Sequence, residues 1–430
     1  MIWPPEAPGW RQLTVPGTID VDLTDSSLYL RGFPHELFTE LRRCGPVLRH
    51  GPTTLPDRGA TGEFWVLVSH PVVQQANRDW ETFSALHGPS IIGVPGDHVG
   101  HTLVSSDPPE HTRLRRLISA GFTPRMVSKL DEQIAAYTSQ ILDHVIECGG
   151  EVDFVREVAY QLPMQMIAEI VGIPDADRPH IFSVIDMTFR SSDPHNDLTP
   201  ADNLSASIEL YEYAQALGEE KRRDPQDDVW STLVLADVEH GDGERGELSH
   251  TELDMFFLIL SIAGSETTRN ALSAGLAAFA DNPAEFERLC REPGLMDSAT
   301  DEIIRWASPV TMFARDATRD IELGGVKISS GDRVTMWYPS ANRDEDVFEN
   351  PFSFDIARRP NPHVSFGGGG VHYCLGASLA RREVRTMFEH ICARFSRLEI
   401  TGPASYCTPG DVIAVTADHL PVRMTPRSAG

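Results

Sequence analysis

Apolar residues recur at helical spacing from about Pro109 to Ser308, which predicts a body built mainly of helices. The segment Asp107-Pro108-Pro109-Glu110 reads as a helix start, with proline in the first turn and acids near the positive helix end. Basic and apolar residues then alternate at helical spacing over 111–120, and 130–148 and 155–172 carry amphipathic patterns. The clearest helix opens at Ser249-His250-Thr251-Glu252, a capping box, and runs to Asp281-Asn282-Pro283, where the proline ends it. About 30 residues at about 1.5 Å each give a rod of roughly 45 Å. It carries no charge over 255–265, which predicts burial on most of its sides.

Strand patterns are few. Residues 320–328 read as a hairpin around Gly324-Gly325, and 334–337 as a further strand. Residues 340–370 read as loop, rich in Asn, Asp, Pro and Gly, and a helix restarts at Leu379. The expected fold class is therefore mainly α, a large helical body with a small β region, in one domain spanning 1–430.

Composition narrows the partners. The chain has 430 residues, 23% charged and 41% hydrophobic, as globular proteins do. Its formal net charge of −26 repels phosphate backbones and anionic lipid, so no nucleic acid is expected. The opening Met1-Ile2-Trp3-Pro4-Pro5 has no charged and apolar leader pattern, and no run of 18 apolar residues occurs, so no membrane insertion is expected. The six cysteines are scattered without a CxxC pair, which argues against a disulfide framework or a zinc site and fits a reducing cytoplasm.

Two segments carry chemistry. Phe366-Gly367-Gly368-Gly369-Gly370-Val371-His372-Tyr373-Cys374-Leu375-Gly376 precedes a helix. Four glycines allow close backbone approach to something flat or large, and a cysteine at a helix mouth has its thiolate favoured by the dipole and free N–H groups. Such a sulfur suits a metal. The second segment, Ala263-Gly264-Ser265-Glu266-Thr267-Thr268, lies midway along the long helix. Its glycine would let the helix pass close to a planar group or kink, and an acid followed by a hydroxyl can relay protons.

The first segment resembles the haem-binding signature of the cytochrome P450 family: a Phe, glycines, a basic residue two before the Cys and a Gly two after it. Phe366 stands eight residues before Cys374 where the usual pattern has seven, a longer loop resembling that of actinobacterial members acting on steroid side chains and branched lipids. The second segment is similar to the family's oxygen-activation motif. The resemblance implies haem b (iron protoporphyrin IX) with Cys374 as metal ligand, and Thr267 and Glu266 as catalytic residues. It implies cofactor contacts at His111, Arg115, Ala263, Gly264, Arg315, Phe366, Gly367, His372 and Gly376, with His111, Arg115, Arg315 and His372 holding the two propionates. Glu302 and Arg305 match the family's buried ion-paired brace, whose later arginine slot holds Ser353; Arg358 is the expected replacement.

The implied activity is that of a soluble haem-thiolate monooxygenase, inserting one atom of O2 into a C–H bond of a hydrophobic small molecule. A steroid, terpenoid, branched lipid or other secondary metabolite would meet Ile91, Ile92, Val94, Ile259, Ile262 and the segments 310–313 and 413–415. Electrons would come from NAD(P)H through a ferredoxin reductase and a ferredoxin, docked near Arg381, Arg382, Arg385, Arg113 and Arg116. A cytoplasmic monomer is expected. The alternatives are peroxide-driven or non-hydroxylating chemistry on the same fold, and a non-catalytic haem protein.

Overall fold

A computed structural model describes residues 17–427 except 56–58, 94–98, 101, 122–123, 192, 194, 196, 240–244 and 409–410. The opening stretch 1–10 and Val94 lie outside the described residues. The helices, in chain order, are α1 (His35–Cys44), α2 (His70–Arg78), α3 (Glu110–Gly121), α4 (Pro124–Glu147), α5 (Gln161–Val171), α6 (Arg178–Arg190) and α7 (Pro200–Arg223). There follow α8 (Val229–Val234), α9 (His250–Asp281), α10 (Pro283–Arg291), α11 (Met296–Ala307), α12 (Tyr338–Ala341) and α13 (Ala377–Arg394). No helix among the described residues is long and apolar enough to cross a membrane.

The long helix α9 has 32 residues and the reciprocal cap read from its sequence: the Ser249 hydroxyl accepts the Glu252 N–H, and Glu252 Oε2 accepts the Ser249 N–H at 2.9 Å. It packs against α5, α7, α10, α11 and α13. Phe256, Phe257, Leu272, Leu276 and Phe279 are buried in the main core. Its charge-free stretch is less enclosed than its composition suggests. Ile259 and Thr267 are half-buried and Ala263 is exposed, a stripe at i, i+4 spacing that leaves one face open.

The helical pattern over 155–172 divides. Val155–Ala159 forms a wider turn, closed by Tyr160 N–H to the Val155 carbonyl at 2.8 Å, and α5 restarts at Gln161. Pro163 supplies the reason: it has no N–H to give an α-helix interior, but none is needed in a first turn.

The main sheet is mixed and six-stranded, in the order Thr18–Ile19, Val47–His50, Phe64–Leu67, Arg333–Trp337, Met312–Ala317, Phe83–Ser84. The hairpin Ile321–Leu323 with Val326–Ile328 forms around Gly324-Gly325, as its sequence indicates. A second sheet joins Phe395–Ile400 and Pro421–Pro426 to the distant strand Glu151–Asp153.

The irregular segment between α12 and α13 is held by one buried cluster. Arg305 donates to both oxygens of Glu302, at 2.8 and 2.7 Å, and both residues are fully buried. Arg358 Nε donates to the same carboxylate at 3.1 Å, so it occupies the slot that Ser353 leaves open. Its Nη1 and Nη2 reach the carbonyls of Glu349 (2.7 Å) and Ser353 (2.9 Å), and Arg305 reaches those of Asn342 (2.8 Å) and Pro351 (3.0 Å). Asn342 then bonds Ser308, Ser365 and the Val364 N–H, each at 2.8 Å. Through these bonds α11 sets where residues 342–365 lie, and with them the loop that follows.

That loop docks on α2. Gly370 has φ +83°, and a Cβ built there would stand 2.5 Å from the Asn77 carbonyl oxygen. Arg78 Nε donates to the Gly368 carbonyl at 2.9 Å. At Gly370 the close approach is thus to the main chain at the end of α2.

Two outcomes follow. Replacing Arg358 by Ala leaves part of a buried carboxylate uncompensated, and should cost about 3 kcal/mol of stability, read from the midpoint of chemical unfolding. Gly370→Ala should lower the same midpoint by about 1–3 kcal/mol, because a Cβ strains the backbone at this φ and strikes a main-chain oxygen that cannot swing away.

Candidate active site

Cys374 stands just before α13, with its N–H bonded to the Phe366 carbonyl at 3.0 Å, which closes the loop into a ring. Its side chain is accessible, while the protein around it raises the thiol pKa through desolvation. Backbone N–H groups of Gly376 and Ala377 and the charges of Arg115 and Arg381 pull the other way without prevailing. A bound metal cation would hold the sulfur as thiolate, because coordination strips the proton from a thiol. Phe366 lies beneath the Arg381 guanidinium at 4.5 Å and 6.2 Å from the Tyr373 ring, which fixes the loop's outer wall. Gly367 faces Asn77 and the His372 carbonyl, and nothing lies within 4 Å of a Cβ built on Gly376.

Four cationic or imidazole side chains converge beside this loop from three elements. His111 and Arg115 come from α3, Arg315 from the strand Met312–Ala317, and His372 from the loop. The His111 and His372 rings lie 4.2 Å apart. Arg115 reaches the Val371 carbonyl at 3.4 Å. Arg315 is buried and donates to the Ala314 carbonyl at 2.8 Å. Burial, then His372, Arg115 and Arg315, push the His111 pKa down to about 4 against the pull of Asp107. His372 is also lowered, chiefly by burial. Its Nε2 is 4.0 Å from Asp107, beyond hydrogen-bond range.

This arrangement is unsatisfied as it stands. His111 Nε2 and His372 Nε2 are buried without hydrogen-bond partners, where buried polar atoms normally have them. Four donors with Asp107 as their close acidic neighbour suit the paired carboxylates of a dianionic ligand. The donor set therefore fits haem propionates, and the accessible sulfur fits a thiolate ligand to the metal. His111, Arg115, Arg315, His372 and Cys374 are the residues that would hold the group.

The α9 segment presents two faces. Ala263 and Thr267 belong to its open stripe, and the Thr267 hydroxyl donates back to the Ala263 carbonyl at 2.8 Å. A Cβ on Gly264 would lie 2.3 Å from Ile167 Cδ1, so this glycine lets α9 and α5 approach. The helix runs unbroken from His250 to Asp281. Asn270, one turn beyond Thr267, donates to the carbonyls of Val415 (3.0 Å) and Pro309 (3.4 Å), tying α9 to both apolar segments, 310–313 and 413–415. Ile91, by contrast, belongs to the core against the main sheet.

Glu266 is buried, not solvated, and touches the Arg269 guanidinium three residues on. Neither of its oxygens makes a well-directed hydrogen bond. Burial pushes its pKa up to about 7; Arg269 opposes this, while Asp186 and Asp418 add to it. Arg269 lies 3.5 Å from Asp186 and within 6 Å of the Tyr160 and Phe189 rings, at 5.9 and 5.6 Å. Arg269, Asp186, Arg190, Tyr160 and Asp418 line an open cleft of about 920 Å³ between α4, α5 and α6. Sequence reasoning did not find this surrounding set. Arg269 was the available signal, a lone cation at i+3 from Glu266 in a charge-poor helix.

The arginines expected to receive a redox partner are largely engaged. Arg381 pairs with Asp301 at 2.9 Å, Arg382 with Asp131 at 2.8 Å, Arg385 with Asp297 and Glu389, and Arg113 with Glu110 and Glu252. Arg116 is exposed.

Comparison with known proteins agrees with this geometry. The sequence profile of the cytochrome P450 family matches residues 27–405. A steroid C26-monooxygenase of Rhodococcus jostii is 40% identical over 86% of this chain and 78% of its own length. A methyl-branched lipid omega-hydroxylase of Mycobacterium bovis is 39% identical over 82% of this chain and 83% of its own. A crystal structure of a Mycobacterium marinum cytochrome P450 with pseudoionone superposes with a TM-score of 0.82 at 35% identity, covering 90% of this chain and 94% of that one. With the Cys374 loop, the donor cluster and the α9 motif in one fold, this chain belongs to the cytochrome P450 family.

Proposed function

We propose that this monooxygenase of the cytochrome P450 type hydroxylates an unactivated C–H bond of a steroid side chain or a methyl-branched lipid. One observation carries the haem-thiolate reading: an accessible cysteine beside a cluster of four donors, two of them buried and unpartnered. The names of the relatives, one acting on steroids and one on methyl-branched lipid, support the substrate class. The half-buried apolar side chains of Ile259, Ile262, Val310 and Phe313 would suit such a ligand. Haem bound through the Cys374 sulfur would supply the reductive activation of O2, favoured by thiolate electron donation.

The chain's own part is to exclude water and deliver protons. We assign the supply to the cleft face of α9. Solvent reaches Asp186, Asp418 and Arg269 in the cleft; Glu266, with a pKa near 7, takes up a proton there and passes it toward the Thr267 hydroxyl on the open stripe. For this Glu266 must leave Arg269 part of the time, and Thr267 must release the Ala263 carbonyl. Electrons are assigned to NAD(P)H through a ferredoxin reductase and a ferredoxin, which would meet the α13 face. Because Arg381, Arg382 and Arg385 are already paired with acids, steering there would be weak and sensitive to salt. The scattered cysteines favour a cytoplasmic location.

Cys374→Ala should abolish the strongly red-shifted ferrous–CO band of thiolate ligation together with hydroxylation; retention of that band would place the ligand on another cysteine. A binding-shift screen of the parent protein with steroids, methyl-branched lipids, terpenoids and macrolides tests the substrate class, the first two being expected to bind most tightly.

Proton supply gives separate readouts. Thr267→Ala should keep substrate binding and NAD(P)H consumption but divert about half or more of the electrons to released hydrogen peroxide, on the scale of general acid–base effects of roughly 10²-fold. Glu266→Gln should slow turnover itself. The protonated form of Glu266 is the donor and its fraction falls as pH rises through about 7, so parent turnover should decline from pH 6 to 8.5 where proton supply limits it. The Gln variant should lose that dependence. A variant profile parallel to the parent's would remove Glu266 from the relay.

A further inference from the structure

At the end of α4, three unlike metal-binding side chains meet outside the site described above. His144 and Cys148 are one helical turn apart, and the Cys148 N–H still bonds to the His144 carbonyl at 2.9 Å. Cys148 Sγ lies 3.6 Å from His144 Nε2. Glu157, from the wider turn Val155–Ala159, brings Oε2 to 3.1 Å from the same nitrogen. One ligand atom from each of the three lies within 4.8 Å of the others.

The surrounding backbone holds this geometry. Glu157 Oε1 accepts the Asp153 N–H at 2.8 Å, which orients the carboxylate with its other oxygen toward His144. Between the two elements the chain reverses at Gly149 and Gly150, both with positive φ, and the strand Glu151–Asp153 then pairs with Pro421–Pro426. A Cβ on Gly150 would lie 2.1 Å from the Met424 carbonyl oxygen, so the return path is tightly set. The nearby cation Arg156 is engaged by Asp153 and Asp418, each at 3.5 Å.

We propose that His144, Cys148 and Glu157 form a binding site for one Zn2+ ion, with water as the fourth ligand. Imidazole nitrogen, thiolate sulfur and carboxylate oxygen are the donors zinc takes, at about 2.0, 2.3 and 2.0 Å. Tetrahedral placement at those lengths separates the donor atoms by roughly 3.3–3.6 Å. The observed 3.1 and 3.6 Å lie close to this, and the third separation, within 4.8 Å, closes by rotation of the exposed Cys148 side chain. Magnesium and calcium prefer all-oxygen shells and do not suit the set. Binding releases the Cys148 proton and forms bonds from sulfur, nitrogen and oxygen to zinc with no change of oxidation state. The net charge of −26 favours cation uptake. Loaded, the ion would clamp the end of α4 to the turn that leads into α5.

The test uses the haem-loaded protein, stripped with a chelator and titrated with zinc chloride by calorimetry, with X-ray absorption at the zinc edge, which is distinct from that of iron. One ion per chain should bind with micromolar or tighter affinity, and the spectrum should show one sulfur at about 2.3 Å and nitrogen or oxygen at about 2.0 Å. Cys148→Ser, His144→Ala and Glu157→Gln should each weaken binding about tenfold or more while the haem spectrum stays unchanged. The proposal is overturned by no saturable binding below about 100 μM, by a shell without sulfur, or by affinities within about threefold of the parent in these variants.

Discussion

The buried carboxylate of Glu302 is the constraint on which the site depends. It takes both Arg305 and Arg358, and those two arginines spend their remaining N–H groups on carbonyls of Asn342, Glu349, Pro351 and Ser353. A segment of more than 20 residues without regular structure would normally be free to wander. Here the carbonyls of residues 342, 349, 351 and 353 end on two guanidiniums that share the Glu302 carboxylate. Asn342 passes the position on to Val364 and Ser365, the immediate neighbours of the Cys374 loop. The loop's exit is set by an ion cluster on α11, and its far side by glycines lying on α2.

The site itself is built on opposed electrostatic requirements. On one side, imidazoles and guanidiniums are gathered more closely than their mutual repulsion favours, with two ring nitrogens unpartnered. Such a cluster makes sense around an anionic partner. Across the site, α9 keeps its hydroxyl stripe apart from its acid. Thr267 belongs to the open face and Glu266 is buried about 100° around the helix axis, against the Arg269 that lines the cleft. Burial and the carboxylates of Asp186 and Asp418 raise the pKa of the acid while Arg269 restrains the rise. The two faces of one helix thus separate the half-open stripe at Ile259, Ala263 and Thr267 from the buried acid.

What the sequence by itself determined is the set of features that local chemistry controls. The capping box at Ser249, the proline stop at Pro283, the Gly-Gly hairpin and the helical pattern from Glu110 are decided within a few residues, and each appears in the structure. The linear motifs around Cys374 and Thr267 were legible because their spacing along the chain is their signature. The substitute arginine at 358 is named from the family resemblance, which expects an arginine where Ser353 stands, and the structure brings it to Glu302.

Only the tertiary structure decided what meets across the chain. The strands of the main sheet have two to six residues, too short for periodicity to mark, and their pairing is set by burial between distant segments. At Gly264 and Gly370 the protein atoms that a Cβ would strike belong to Ile167 and Asn77, 97 and 293 residues away along the chain. The partners of Glu266 at Asp186 and Asp418 cannot be inferred from a helix read alone. Nor can the meeting of His144 and Cys148 with Glu157, which no short cysteine motif announces. A residue's neighbours in sequence fix its backbone; its charge state and its use depend on neighbours that folding brings to it, because burial and Coulomb terms act through space.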